Sequence, residues 1–430
     1  EHDRRRADRR AVLDDQRVDR LARRSRGRRQ TRHLAKHDVV LHDDSVADDD
    51  AVVHHDVGAE GDVVADGGGR AEHEARGSEV GHDGYPSGAV PSPDLTRPLR
   101  GAVLGLGMIG RHHARLLQAS PRVVFAGAVD PAGDRFGVVH DRGLVFGDLG
   151  ALLSTGVPDF AIVAVPTEEH VDVVRPLAAE GVHLLVEKPL AATAAEGRAL
   201  IDACQAAGVH AAVGHVERFN PALLELRRRT QEGQLGQVFL VATERIGPFP
   251  DRVRDVGVIK DLATHDLDLV RWLGGSPVER VTAETQHRME RDHEDLVLAT
   301  GRLENAISFN CIVDWVSPAK VRRTRVLGER GMLVADTLTA DLTFYANGNV
   351  ASEWPETQAL RGVSEGDSTR YALARREPLL VELETFFDLL DGDAGAGVVT
   401  LAEGLETVIV AEAVLASAQA GETVALEGAK

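Results

Sequence analysis

Gly101-Ala-Val-Leu-Gly105-Leu-Gly107-Met-Ile-Gly110-Arg-His-His-Ala-Arg-Leu-Leu117 is the stretch on which the fold turns. It opens as a short apolar strand and closes as a helix running from Ile109 to Ala119, with apolar positions at Ile109, Leu116 and Leu117. Between the two stands G-x-G-x-x-G. Gly105 permits the tight turn, Gly107 lets the backbone approach a pyrophosphate, and Gly110 lets the helix pack on the strand. Met108 and Ile109 complete the loop, and the helix N-terminus that follows offers free N–H groups to phosphate oxygens. A second strand, Val123 to Val129, ends in Asp130, 20 residues after Gly110. There a carboxylate can accept both ribose hydroxyls and repel a 2′-phosphate, so the spacing points to NAD rather than NADP. A glycine-rich turn with no ligand would explain the glycines alone. It would not explain the strand before them, the helix after them and the acid at that distance.

The alternation continues downstream. Phe160–Ala164 reads as a strand ending at Val165-Pro166-Thr167, and His170–Glu180 as a helix with Val171, Val174 and Leu177 on one face. Val182–Val186 is a strand ending at Glu187-Lys188-Pro189, Thr193–Ala207 a helix, and Val209–Val213 a strand ending at Gly214-His215. A βα repeat of this kind predicts a doubly wound parallel sheet, which binds ligands at the carboxyl ends of its strands. Thr167, Glu187, Lys188 and His215 all fall at such ends.

Composition sets bounds on the rest. The chain has 430 residues, 43% of them hydrophobic but only 4% aromatic, which suits an aliphatic core of the parallel-sheet kind. A formal net charge of −19 argues against general nucleic-acid binding. Cys204 and Cys311 are far apart and form no disulfide framework or zinc pattern, so they read as reduced structural thiols. With no leader-like segment and no long apolar run, the chain reads as soluble and cytoplasmic.

Residues 1–98 do not resemble the remainder. They contain no Ile, Phe, Asn, Met, Trp or Cys, and Lys36 is their one lysine. Arginine-rich and then aspartate-rich blocks predict disorder, and most of the missing residue types, Ile, Phe, Asn and Met, have A/T-rich codons. The expectation is a disordered or artefactual extension, such as a GC-rich genome translated upstream of the true start would produce. Peptides from residues 1–80 in a digest of the native protein would refute the artefact. Tyr85 to Pro98 reads as a Pro/Ser-rich linker.

Two further stretches carry chemistry. An ammonium at Lys188, at a strand end beside a nicotinamide, could stabilise negative charge on a reacting oxygen. The plain alternative is a surface lysine paired with Glu187. In Asp261-Leu-Ala-Thr-His265-Asp-Leu-Asp268, helical spacing puts Asp261, His265 and Asp268 on one face. Imidazole suits proton abstraction near neutral pH, and a carboxylate beside it would fix its tautomer and favour its charged form. A zinc site or a helix N-terminus with dipole-facing acids are the rival readings. The expectation is no metal, since a hydride transfer needs none and no further ligand pair is evident.

These motifs, in this order, resemble the Gfo/Idh/MocA family, the glucose–fructose oxidoreductases and inositol dehydrogenases. The resemblance runs from about residue 100 to the C-terminus. It implies a substrate hydroxyl held between Lys188 and His265, with Asp261 contacting substrate. It also implies cofactor contacts from Gly105, Gly107, Met108, Ile109, Gly110, Asp130, Pro166, Thr167, His170, Glu187 and Lys188. Ala263 stands where the family commonly has glycine, a mild departure. Gly214-His215-Val-Glu217-Arg218-Phe219-Asn220-Pro221, Arg245-Ile-Gly-Pro-Phe-Pro250 and Arg252-Val-Arg254-Asp-Val-Gly257 resemble in wording the family's UDP-N-acetylglucosamine 3-dehydrogenase branch. Substrate contacts are accordingly expected from His215, Arg218, Asn220, Arg254, Asp261 and Asp268. Arg218, Arg245, Arg252 and Arg254 could neutralise a diphosphate; solvation of a surface loop is the alternative.

Beyond Leu273 the pattern turns to strands, over Val278–Thr285, Leu296–Leu303, Ala306–Val313, Lys320–Gly328 and Gly331–Asp336. Helices follow over Glu377–Leu390 and Leu401–Ala418. The predicted fold is α/β: a Rossmann domain over 99–218, and an α+β domain over 219–430 with a large open, mostly antiparallel sheet and closing helices that return to the Rossmann side. The expected partners are a small sugar or nucleotide-sugar substrate and a second copy of the chain across that sheet, with no nucleic acid or membrane. The implied activity is NAD-dependent oxidation of a sugar hydroxyl. A polyol or free-sugar dehydrogenase, a non-catalytic NAD-binding regulator and an NAD-dependent glycosidase stay open as alternatives.

Overall fold

The computed structural model describes residues 97–250, 256–289, 291–348 and 365–426. The extension before residue 97, and Arg252 and Arg254 of the arginine cluster, lie outside the described residues.

Six strands form the first sheet: β1 (Leu99–Leu104), β2 (Val123–Val129), β3 (Val145–Phe146), β4 (Phe160–Val163), β5 (His183–Glu187) and β6 (Ala211–Gly214). They run parallel in the order β3-β2-β1-β4-β5-β6. The connecting helices are α1 (Gly110–Ala119), α2 (Leu149–Ser154), α3 (His170–Ala179) and α4 (Ala194–Ala207). Helices on both faces explain why β4 and β5 are buried at every residue and apolar almost throughout. Strand order reverses between β1 and β4, which opens a crevice at their carboxyl ends.

The second sheet follows α5 (Pro221–Gln231). It contains β7 (Val238–Pro248) and, after α6 (Thr264–Gly274), β8 (Val278–Gln286), β9 (Leu296–Leu303), β10 (Ser308–Asp314), β11 (Val316–Gly328), β12 (Gly331–Asp336), β13 (Asp341–Asn347) and β14 (Glu365–Tyr371). The last elements are α7 (Pro378–Leu390), α8 (Leu401–Ala420) and β15 (Val424–Ala425). The order is β14-β13-β12-β11-β7-β10-β9-β8-β15, antiparallel except where β7 meets β10. One face buries Val241, Val281, Val297 and Phe309 in a core shared with Leu267 and Val270 of α6 and Val414 of α8.

The closing helices return as expected. On α7, Phe386 and Phe387 pack on Phe160 of β4, ring centroids 5.9 and 5.4 Å apart. The chain entering α8 pairs with β6, Val213 N–H donating to Val399 at 2.8 Å. Residues 378–420 therefore complete the core of the first sheet as well as the second.

Several elements went unassigned in the sequence: α2, α5, β3, β7, β13, β14 and β15. The informative one is β7. It lies inside the second sheet, yet its apolar alternation is interrupted by Arg245, which is buried. For α5 the start signal was present, since Asn220 caps it and Pro221 occupies its first turn. No helix among the described residues is long and apolar enough to cross a membrane.

Candidate active site

The glycine loop between β1 and α1 has the shape of a phosphate cradle. Gly105 has φ of +91°, and a side chain there would strike the Ala164 carbonyl oxygen, 2.5 Å from its Cβ position. A Cβ on Gly110 would lie 1.9 Å from the Gly105 oxygen. Both glycines are thus required by the protein's own packing. Gly107 is different, because a Cβ there would meet nothing within 4 Å. Its lack of a side chain keeps the surface clear for something that binds. The residue before α1 is Ile109, so no side chain caps the helix, and its first turn holds no acid. Its N-terminus is left for an anion. Asp130, at the carboxyl end of β2, accepts from Leu106 N–H at 2.9 Å and Ala132 N–H at 2.8 Å. Those bonds fix the carboxylate beside the loop while leaving acceptor capacity for ribose hydroxyls. Pro166 and Thr167 follow β4 on the same edge, with Met108 exposed. These residues fit a bound dinucleotide.

Lys188 follows the last residue of β5. Its Nζ donates to the Asp261 carbonyl oxygen at 2.6 Å and lies 3.9 Å from Asp261 Oδ1. Asp261 sits in a π-helical turn, Ile259–Ala263, that leads into α6, so the helix carrying the motif starts underwound. Lys188 and Asp261 are paired across 73 residues, and their side chains stay 16% and 15% exposed. His265 lies within electrostatic reach of Lys188. Its Nδ1 is buried and has no hydrogen-bond partner. Burial pushes its pKa well below the ordinary value, and Lys188, Arg245, His215 and Arg322 push the same way. The imidazole is therefore neutral at neutral pH, a proton acceptor beside an ammonium.

The expected carboxylate behind His265 is corrected by the structure. Asp268 turns inward and takes two bonds from Arg218, at 2.7 and 2.6 Å, with His215 Nδ1 3.7 Å away. Asp268 and Arg218 are 1% and 4% exposed. Arg218 also donates to Glu403 at 2.7 Å. A guanidinium so enclosed and so paired is a structural tie, not a free phosphate clamp. Arg245 is tied likewise, to Asp266 at 2.6 Å and Glu217 at 2.9 Å. Burial raises the Asp266 pKa despite that partner. Glu217 is held low, because Arg245, Arg322 and Lys188 outweigh its burial.

Three more expectations change. His170 is fully buried, its ring nitrogens 3.0 Å from the Leu190 oxygen and 3.2 Å from the Val165 oxygen. It braces the loops after β4 and β5 instead of facing a ligand. Asn220 caps α5 through Ala222 N–H at 3.0 Å and donates to the Thr337 oxygen at 3.1 Å. Glu187 turns away from the crevice to His113, Oε1 to Nε2 2.7 Å. His215 keeps its place near Lys188, but it is buried, with Nε2 unpartnered. Burial lowers its pKa, and the charges of Arg218 and Lys188 prevail with it over Asp268.

Sequence reasoning missed Arg322 on β11. It donates to the Ile246 and Val321 oxygens, and its charge acts on His265, Glu217 and Asp261. It also missed His113 and Glu382, which have no motif spacing to mark them.

Comparison with known proteins agrees with this architecture. Residues 99–215 match the model of an oxidoreductase family with an NAD-binding Rossmann fold, GFO/IDH/MocA. Residues 223–334 match that family's C-terminal domain. UDP-N-acetylglucosamine 3-dehydrogenase of Acidithiobacillus ferrooxidans is 31% identical over 74% of this chain and 98% of its own length. A crystal structure of that dehydrogenase, GnnA, superposes with a TM-score of 0.64 at 28% identity, covering 75% of this chain and 98% of that one. Myo-inositol dehydrogenase Hyg17 of Streptomyces leeuwenhoekii is 33% identical over 54% of this chain and 75% of its own length. With both of the family's domains in order behind a glycine loop shaped for a dinucleotide, the chain belongs to the GFO/IDH/MocA family of NAD-binding oxidoreductases.

Proposed function

We propose that this enzyme oxidises a secondary hydroxyl of a nucleotide sugar, with UDP-N-acetylglucosamine at C3 the first candidate. The observation that carries the chemistry is the meeting of Lys188, Asp261 and neutral His265 at the carboxyl end of the parallel sheet. His265 accepts the hydroxyl proton. Lys188, held by the Asp261 carbonyl oxygen, steadies the negative charge that grows on the substrate oxygen as the C–H bond breaks. NAD, when bound, supplies the hydride acceptor. The Asp261 carboxylate is left to bind a neighbouring substrate hydroxyl.

The likeness to the nucleotide-sugar dehydrogenase supports the substrate class, because it spans 98% of that protein and so includes its second domain. Arg322, half-buried within electrostatic reach of Asp261 and His265, is a cation that an anionic substrate could use. Purified protein given NAD and UDP-N-acetylglucosamine should form NADH, followed by its absorbance. Turnover of myo-inositol or a free sugar instead would replace this substrate.

The outer face of the second sheet exposes Leu298, Leu327 and Tyr345. Register places Leu298 beside Ile312, and Leu327 and Tyr345 on either side of Met332. We propose that a second copy covers this face. Sedimentation equilibrium should give a dimer or larger; a monomer at micromolar concentration would refute it.

A further inference from the structure

Behind Lys188 lies a group of buried residues that the mechanism above does not use. His113 on α1, Glu187 at the end of β5 and Glu382 on α7 are 0%, 7% and 2% exposed. One ligand-type atom from each lies within 4.8 Å of the others. His113 Nε2 and Glu187 Oε1 are 2.7 Å apart, and Glu187 Oε2 accepts from the Lys188 N–H at 3.3 Å. Neither oxygen of Glu382 has a hydrogen-bond partner, and neither does His113 Nδ1.

Two occupants could fill such a gap: a metal ion or a proton. The geometry favours the proton. Two donors each about 2.1 Å from one tetrahedral ion stand about 3.4 Å apart, but His113 and Glu187 are already at 2.7 Å. A metal-bound imidazole also donates its other N–H to an acceptor, and His113 Nδ1 has none. Two carboxylates beside one imidazole in a buried site cannot both stay ionised without a cation. Glu187, which accepts from His113 and from a backbone N–H, is the one suited to carry the charge.

His170 and His215 lie within electrostatic reach of Glu187, and burial lowers the pKa of both; the other charges on the surrounding elements lead elsewhere. On α7, Glu384 and Asp388 pair with Arg376 and Arg122, and Glu377, which precedes it, pairs with Arg115. On the 216–219 turn packed against α7, Glu217 pairs with Arg245 and Arg218 with Asp268. Burial, followed by the charge of Glu187, pushes the Glu382 carboxyl well above its ordinary value.

We propose that Glu382 is a neutral carboxylic acid in the working enzyme and forms, with Glu187 and His113, a proton-sharing cluster that seats Lys188. Its O–H can reach a free lone pair of Glu187 by side-chain rotation or through one water. That bond holds Glu187 against His113, and Glu187 in turn holds the Lys188 N–H. Glu382 is a positioning residue, joining the closing helix to the residue that meets the substrate. The part played by Lys188 rests on the function proposed above; the protonation of Glu382 does not.

The test has two arms. Infrared spectra of the wild-type protein at neutral pH should show the carbonyl stretch of a protonated carboxylic acid, and Glu382→Gln should remove it. Absence of that band in wild type, its persistence in Glu382→Gln, or one equivalent of divalent metal in the purified protein would each overturn the cluster. In the second arm, NADH formation with UDP-N-acetylglucosamine should show kcat reduced about 10- to 100-fold in Glu382→Leu. KM for NAD should be unchanged, and Glu382→Gln, whose amide can donate to Glu187, should recover most of the loss. Equal rates in the leucine and wild-type enzymes, or KM changes alone, would overturn the positioning role. If wild type fails to turn over that sugar, the proposed substrate fails, while the infrared arm still decides the cluster.

Discussion

Replacing Lys188 by Met is expected to lower kcat by about 100- to 1,000-fold, the usual cost of removing one donor aimed at a developing oxyanion. NAD affinity should change little, because on the proposed reading the glycine loop and Asp130 would make the phosphate and ribose contacts without it. The variant should also change His265. The neutral ring is the form that accepts a proton, so kcat/KM should fall as pH drops through the His265 pKa. That pKa is depressed first by burial and next by the charge of Lys188. Removing the ammonium relieves the second cause, so the titration moves up. The His265 imidazole resonance, assigned by comparison with His265→Gln, should titrate at higher pH in Lys188→Met than in wild type. An unchanged kcat together with an unchanged titration would return Lys188 to a structural partner of Asp261.

Arg218→Met is expected to cost about 3–5 kcal/mol of stability, the range for breaking a buried ion pair from one side. The methionine covers much of the same apolar surface but leaves Asp268 buried without a guanidinium against it, with the Thr407 hydroxyl at 3.5 Å and the His215 ring 3.7 Å away. It also releases Glu403, which otherwise bridges Arg218 to the start of α8 while capping that helix with Thr400. The 216–219 turn, α6 and α8 would lose their common tie. Urea titration should show the loss. Arg228→Met, an exposed arginine on α5 paired with Glu225 and Glu232, should leave the midpoint in place. The effect depends on pH with a definite sign. Burial raises the Asp268 pKa, but His215 and Arg218 outweigh it and hold it below the ordinary carboxylate value. Glu403 is held low by Arg218 in the same way. Their stabilisation is present above the unfolded carboxylate range and is lost as pH falls through the depressed values. The wild-type advantage over Arg218→Met should therefore shrink in acid. A midpoint equal to wild type at neutral pH would show that the cluster contributes nothing.

Much of this protein was legible in the chain itself. The glycine loop with Asp130 beyond it and the alternation of apolar strands with helices are local patterns, so short-range spacing suffices to find them. Lys188, Asp261 and His265, to which the proposed function gives the chemistry, were picked out the same way, as polar residues at a strand end and on one helix. What sequence could not supply was the partner of each charge. Arg218 meets Asp268 across 50 residues and Glu403 across 185, and His113 meets Glu187 across 74. Such arginines look alike in sequence whether they face a diphosphate or a buried aspartate, because the side chain offers the same donors to either. The same holds for His170 and Asn220, whose polar atoms are consumed by backbone groups of distant loops. Local sequence determined which residues have side chains that could do chemistry at the crevice. Tertiary packing decided which of them are exposed enough to do it, because burial in a low-dielectric core forces every other charge to find a fixed partner.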